Sequence, residues 1–143
     1  EPASDGMWIN RNALREHAQK IIEKFDVRTP GVEVSAQALS GGNQQKLIVG
    51  REMFSAPTVL VAAHPTRGID VGAQAAVWES LREAKRQGKG LLLVSADLDE
   101  LIGLSDRLLV MLRGSIVAAL DPQEISAAEL GAYMTGVRMQ ETV

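Results

Sequence analysis

The chain contains no cysteine, and that absence removes disulfides, thiolate metal sites and thiol nucleophiles together. Aromatic residues make up only 3% of it, too few to build a stacking platform for bases or sugars. Long apolar runs are missing as well. Leu91–Val94 and Leu108–Leu112 are among the longest, far short of the roughly 20 residues that cross a bilayer as a helix. Neither sign of charge dominates: 15 basic residues against 18 acidic ones leave a net charge of −3, with no basic block. A nucleic-acid partner bound through a broad positive face is therefore not expected. The first residues, Glu1-Pro2-Ala3-Ser4-Asp5, have neither the basic start nor the apolar stretch of a secretory signal. They also lack an initiator Met, as a processed or excised piece would.

What is present describes a soluble globular chain. Of 143 residues, 45% are apolar and 23% charged, and mean hydropathy is near zero. Disordered chains are poorer in apolar residues and richer in charge. At this length a fold buries roughly 70% of the surface its unfolded chain exposes.

Periodicity organises the chain. Leu14, Ala18, Ile21, Ile22 and Phe25 form one stripe at 3.6-residue spacing, which predicts a helix over 10–25 with Asn10 or Asn12 as cap and Pro30-Gly31 in the loop beyond. Residues 32–39 alternate weakly and read as irregular. A second helix is predicted from Ser40 to about Phe54, ended by Pro57. The β-branched run 58–63 predicts a strand buried on both faces. A third helix follows over about 71–87, with Val71, Ala75, Trp78 and Leu81 as its inner face and Gly88 as its C-terminal stop. Residues 91–95 read as a second buried strand, 97–104 as a helix, and 107–120 as a hairpin turning at Arg113-Gly114. Ser126 and Glu129 have the spacing of a capping box and open a last helix. This order is α/β.

The chemically informative stretch is Leu39-Ser40-Gly41-Gly42-Asn43-Gln44-Gln45-Lys46. A serine and two glycines at a helix start leave backbone N–H groups free and no Cβ in the way. Two readings of Ser-Gly-Gly by itself stand: an ordinary cap after a glycine-rich turn, or a helix start that holds a phosphate through N–H donors and the dipole. Other groups have bland readings. His17 is expected to be solvated, and Trp8 and Trp78 to be packing residues. Asp97, Asp99 and Glu100 either favour a helix dipole or form a metal site, the first being the expectation. Arg67 is either an interface or a surface arginine.

The whole octapeptide resembles the signature motif of ATP-binding cassette (ABC) ATPases, in the form found in importers of sugars and nucleosides. Further matches follow in the family's order. Residues 65–73, Pro-Thr-Arg-Gly-Ile-Asp-Val-Gly-Ala, resemble the segment after the Walker B strand with its D-loop, and residues 101–114 resemble the closing strands. The resemblance implies an α/β fold: part of a P-loop NTPase that lacks the Walker A strand and loop and carries a helical subdomain. It places that subdomain, with the signature, at 1–56 and the C-terminal part of the RecA-like core at 57–143.

Departures from the family pattern matter as much. No G-x-x-x-x-G-K-[ST] loop is present, so nothing here wraps the β- and γ-phosphates. The family keeps that loop, and a glutamine-bearing one, upstream. The chain therefore resembles the C-terminal part of the second cassette of a tandem protein. Ala63 stands where the Mg-coordinating Asp belongs, His64 in place of the catalytic Glu, and Ala96 in place of the switch histidine. The alanine side chain has no oxygen for Mg²⁺. His64 is either a general base or an inert replacement, the second being the expectation without the neighbouring Asp and the phosphate loop. Three altered positions imply a degenerate site with no catalysis in cis. The intact signature implies another role. Ser40, Gly41, Gly42, Asn43 and Gln44 would complete, in trans, an ATP site of the first cassette, with Asp70 of the D-loop aligning the halves.

The implied cofactors are ATP and Mg in the intact dimeric assembly, with none expected for the chain alone. The implied partners are the first ABC cassette of the same protein, an integral membrane permease and, indirectly, a solute-binding protein, at the cytoplasmic face of the cell membrane. The Ala63-His64 replacement resembles the nucleoside branch more than the sugar branch. The rival reading is a non-catalytic permease-docking module in which the signature is only structure.

Overall fold

The computed structural model describes residues 4–5 and 8–140, with side chains from Asn10 onward. Trp8 falls outside the described side chains. A short antiparallel ladder, β1 (Ser4–Asp5) with β2 (Trp8–Ile9), opens the chain. Two-residue strands carry no period, so the sequence pattern does not mark this ladder.

Helix α1 spans Arg11–Lys24, and Asn10 caps it by accepting the Ala13 N–H at 3.1 Å. A 3₁₀ turn at Ala36–Ala38 interrupts the irregular stretch before α2, Gly41–Phe54. After β3 (Val59–Ala63), α3 (Val71–Arg86) returns the chain to β4 (Gly90–Val94), which pairs with β3. The Gly90 N–H donates to Thr58 O and the His64 N–H to Val94 O. Start meets start and end meets end, as in a parallel pair. Helix α4 (Leu98–Leu104), the hairpin β5 (Leu108–Leu112) and β6 (Ser115–Leu120), and α5 (Ala127–Met134) follow.

Contacts divide the chain into two compact units, one of residues 1–60 with 65–91, the other of 61–64 with 92–143. In the first, α2 packs on α1 and α3, around Ile21, Val27, Met53, Ala73, Val77, Leu81 and Ala84. Both packings are tight because glycine permits them. A Cβ on Gly50 would lie 2.7 Å from the Phe25 ring and 2.8 Å from Ile21 Cγ2. The second unit is centred on Leu108, Val110, Ala118 and Leu130, with α4 and α5 side chains closing over the hairpin. Arg113 and Gly114 both have positive φ at its turn, the geometry a two-residue hairpin requires. The Ser126–Glu129 capping box is formed, and Gln140 pairs with both backbone groups of Ala119 beside β6.

Two expectations are corrected. The buried face of α3 is Ala73, Val77, Leu81 and Ala84, whereas Val71 is 80% exposed and Ala75 is also exposed. Trp78 is half-buried, with the Arg82 guanidinium over its ring. Only small residues fit where α2 and α3 approach closely, so the inner face is set by alanine and not by the largest apolar side chains. Nor are β3 and β4 buried on both faces. In each strand alternate residues are exposed, Val59, Val61, Leu92 and Val94 among them, because this two-stranded sheet has cover on one side only.

Candidate functional site

The signature residues are assembled by the start of α2. Ser40 is its N-cap, extended at φ −61°, ψ 154°, yet its side chain accepts no N–H from the first turn. Instead Ser40 Oγ accepts a hydrogen bond from Asn43 Nδ2 at 2.9 Å. Asn43 Oδ1 accepts the Arg28 N–H at 2.8 Å, which fastens the turn to the loop after α1. Gln44 Nε2 donates back to Leu39 O at 2.9 Å. Ser40 and Gly41 are exposed, Gly42 is buried, and Asn43 and Gln44 are half-buried.

Lys46, one turn further, is only 13% exposed and donates to both the carbonyl and the carboxylate of Asp26, each at 2.9 Å. That contact, first through the hydrogen bond and then through charge, holds the Asp26 carboxyl below its ordinary range. Asp26 itself sits in the left-handed region, at φ 49°. Residues 26 and 28 are thus both tied to α2. The loop following α1 and the signature form one connected piece.

Asp70, the expected D-loop residue, meets the signature from α3. It caps that helix by accepting the Ala73 N–H at 3.0 Å. Hydrogen bonding from Ala73, and more weakly the Lys46 charge, keeps its carboxyl below the usual carboxylate range. A Cβ built on Gly42 would stand 2.6 Å from Ala73 Cβ and 3.3 Å from Asp70 Oδ2, and one on Gly41 would stand 3.4 Å from Gly68 O. Gly68 adopts a positive φ of 76°. The structure therefore brings Ser40, Gly41, Gly42, Asn43, Gln44 and Asp70 together as one packed cluster. Its exposed rim consists of a hydroxyl and a Cβ-free helix start, a donor set suited to a phosphate oxygen.

The altered positions lie elsewhere. Ala63 ends β3, and His64 follows it exposed and left-handed at φ 48°, its N–H bonded to Val94 O at 2.8 Å. Ala96 is exposed just past the end of β4. Neither alanine carries a polar side-chain atom, so the residues at these strand ends do not fit a Mg²⁺ site built on an Asp. Among the described residues no group of three His, Cys, Asp or Glu side chains is placed to hold a metal ion. Asp97 instead caps α4 by accepting the Glu100 N–H at 3.0 Å, with Asp99 and a fully buried Glu100 in the first turn. His17 is exposed and meets the Phe54 ring edge-on at 4.5 Å. Among the described residues no helix is long and apolar enough to cross a membrane.

Known proteins match the chain over nearly all its length. It is 45% identical over 133 residues to the guanosine import ATP-binding protein NupO of Bacillus subtilis (strain 168), covering 93% of this chain and 26% of that protein. It is 41% identical over 140 residues to the nucleoside import ATP-binding protein NupA of Lactococcus lactis subsp. cremoris, covering 98% and 28%. With the ribose import ATP-binding protein RbsA 1 of Rubrobacter xylanophilus it shares 40% over 116 residues, covering 81% and 23%. The chain thus spans about a quarter of the length of these relatives. Among solved structures, an ATP-binding cassette of an ABC transporter superposes with a TM-score of 0.72 at 25% identity, over 93% of this chain and 53% of that one. A nucleotide-free cassette gives 0.68 at 28% identity, over 80% and 46%. No protein-family model matches. The chain is part of an ATP-binding cassette of the ABC type, similar in sequence to the ATP-binding proteins of sugar and nucleoside importers.

Proposed function

We propose that this chain is the C-terminal part of the second cassette of a tandem import ATP-binding protein, and that it lends its signature turn to an ATP site whose phosphate loop belongs to the first cassette. One observation carries this reading. The signature is complete and its Ser40–Gly41 rim is exposed, whereas the strand that should bear the chain's own acids ends at Ala63 and is followed by His64. A cassette that has lost its hydrolytic groups but kept its signature is suited to completing a partner's site. In this division residues 1–56 are the helical subdomain and 57–143 the core part.

In that assembly Ser40 donates its hydroxyl, and Gly41 and Gly42 present backbone N–H groups, toward the γ-phosphate. Fixed donors of this kind stabilise charge without reorganising as it develops. The absence of a Cβ at the exposed Gly41 lets the backbone approach, and that at the buried Gly42 makes room for Ala73 of α3. Asp70, which caps α3 through the Ala73 N–H, aligns the two cassettes across their interface. The ATP and Mg are those held by the first cassette; this chain alone hydrolyses nothing. The whole protein is an ABC-type ATPase at the cytoplasmic face of the membrane, working with a permease and a solute-binding protein. A nucleoside is the favoured solute, in keeping with the nucleoside and guanosine importers among the relatives.

Sedimentation of the folded chain with a first cassette, with and without ATP, tests this. ATP-dependent association that Ser40→Arg abolishes is the expected result. Association indifferent to ATP and to Ser40→Arg would overturn it and leave the permease-docking role.

A further inference from the structure

A serine hydroxyl carries one proton and two acceptor lone pairs, and where that proton points decides whether the group can serve an anion. At Ser40 the structure fixes the direction. Asn43 Oδ1 lies 2.8 Å from the Arg28 backbone nitrogen, and a backbone N–H only donates, so the oxygen end of the Asn43 amide must face Arg28. The nitrogen end is therefore the atom 2.9 Å from Ser40 Oγ. An amide NH₂ has donors and no acceptor. Ser40 consequently accepts from Asn43 and has its own proton left to give outward, on an exposed rim.

We infer that Asn43 is a positioning residue: it does not touch the nucleotide, but sets the Ser40 hydroxyl as a donor toward an anionic oxygen at the start of α2. The inference rests on the signature reading above and refines it. Gln44 has a related inward role, its amide turned back on Leu39 O at 2.9 Å. Of the five signature residues, Ser40 and the backbone of Gly41 and Gly42 face the ligand, while Asn43 and Gln44 hold the turn.

Asn43→Asp separates this from a merely structural role. The carboxylate keeps the size of the side chain and still accepts the Arg28 N–H. It cannot donate to Ser40, and it takes the Ser40 proton inward. Asn43→Ala removes both links. The first readout needs no activity: amide exchange of the ATP-free chain, followed by NMR, is expected to show Arg28 protected in the wild type and in Asn43→Asp and unprotected in Asn43→Ala. Ser40→Ala is expected to move the Asn43 side-chain NH₂ signals. The second is ATP hydrolysis by a first cassette stimulated by the chain. Ser40→Ala and Asn43→Asp are each expected to raise the ATP concentration for half-maximal stimulation on the order of tenfold, the loss of one hydrogen bond to a charged group.

Combining the two is expected to add less than about twofold, since both act through one proton. An Asn43→Asp chain with Arg28 protected and wild-type stimulation would overturn the inference. So would a full further loss in the double variant, which would mean simple charge repulsion. If Ser40→Ala alone leaves stimulation unchanged, the signature reading itself falls. Should Asn43→Asp fail to fold, unmoved Asn43 NH₂ signals in Ser40→Ala would refute the inference.

Discussion

Replacing Gly42 with alanine tests the contact on which the site's architecture depends. The new methyl would lie 2.6 Å from Ala73 Cβ, where carbon atoms rest about 3.5–4.0 Å apart, so α2 and α3 must separate by about 1 Å. Overpacking of this kind costs about 1–3 kcal/mol, offset by up to about 1 kcal/mol of helix propensity. A net loss of about 1–2 kcal/mol is expected. Ala73→Gly alone loses a buried methyl, about 0.8 kcal/mol, and about 1 kcal/mol of propensity. In the double variant the methyl on α2 occupies the space vacated on α3, and the helix terms exchange. The double variant should therefore be near neutral and the two changes should couple favourably by about 3 kcal/mol, the upper end of the range for contacting residues. Urea unfolding followed by circular dichroism resolves this, because 2 kcal/mol moves the midpoint by about 1 M at a slope near 2 kcal/mol/M. Gly41→Ala, whose Cβ meets only Gly68 O at 3.4 Å, serves as the control and should cost less than about 1 kcal/mol. Strict additivity of Gly42→Ala and Ala73→Gly would refute the reasoning.

Other outcomes follow from the same geometry. Asp70 and Asp26 have carboxyls held below their ordinary range, so their stabilisation is present above the unfolded value near 4 and is lost as pH falls through the folded values. Asp70→Asn keeps a good cap and should flatten that acid limb of the urea-midpoint profile; an unchanged limb would contradict the assignment. Ala56 holds φ at +50°, and Ala56→Gly is expected to stabilise the chain by about 0.5–1 kcal/mol, read as a raised urea midpoint. Ser126→Ala removes the capping box of α5 and should cost about 1 kcal/mol in the same assay. Among the described residues the β3–β4 pair has an unpaired edge on each strand and an apolar outer face, so light scattering after size exclusion should find concentration-dependent self-association. A rigid monomer at all concentrations would oppose this.

The sequence was most legible where signals are local. Asn10, the Ser126–Glu129 box and Arg113-Gly114 each act within a few residues, and each is found in its expected role. It was least legible where distant segments decide. Val71 outranks Ala73 in hydrophobicity, yet Gly42 on another helix leaves room only for the alanine. The strands at 59–63 and 90–94 are apolar on both faces, but the described chain covers one of them. At the site, the motif marked Ser40 through Gln44 as a group. It gave no sign that Asn43 reaches Arg28 or that Lys46 reaches Asp26, because those loop residues arrive only when α1 packs on α2.

The most direct test of the account is ATP hydrolysis by a separately made first cassette, titrated with this chain. A saturable rise that disappears with Ser40→Arg and survives His64→Ala is the result predicted for a signature donated in trans. No rise from the folded chain, or a rise that Ser40→Arg leaves intact, would contradict it.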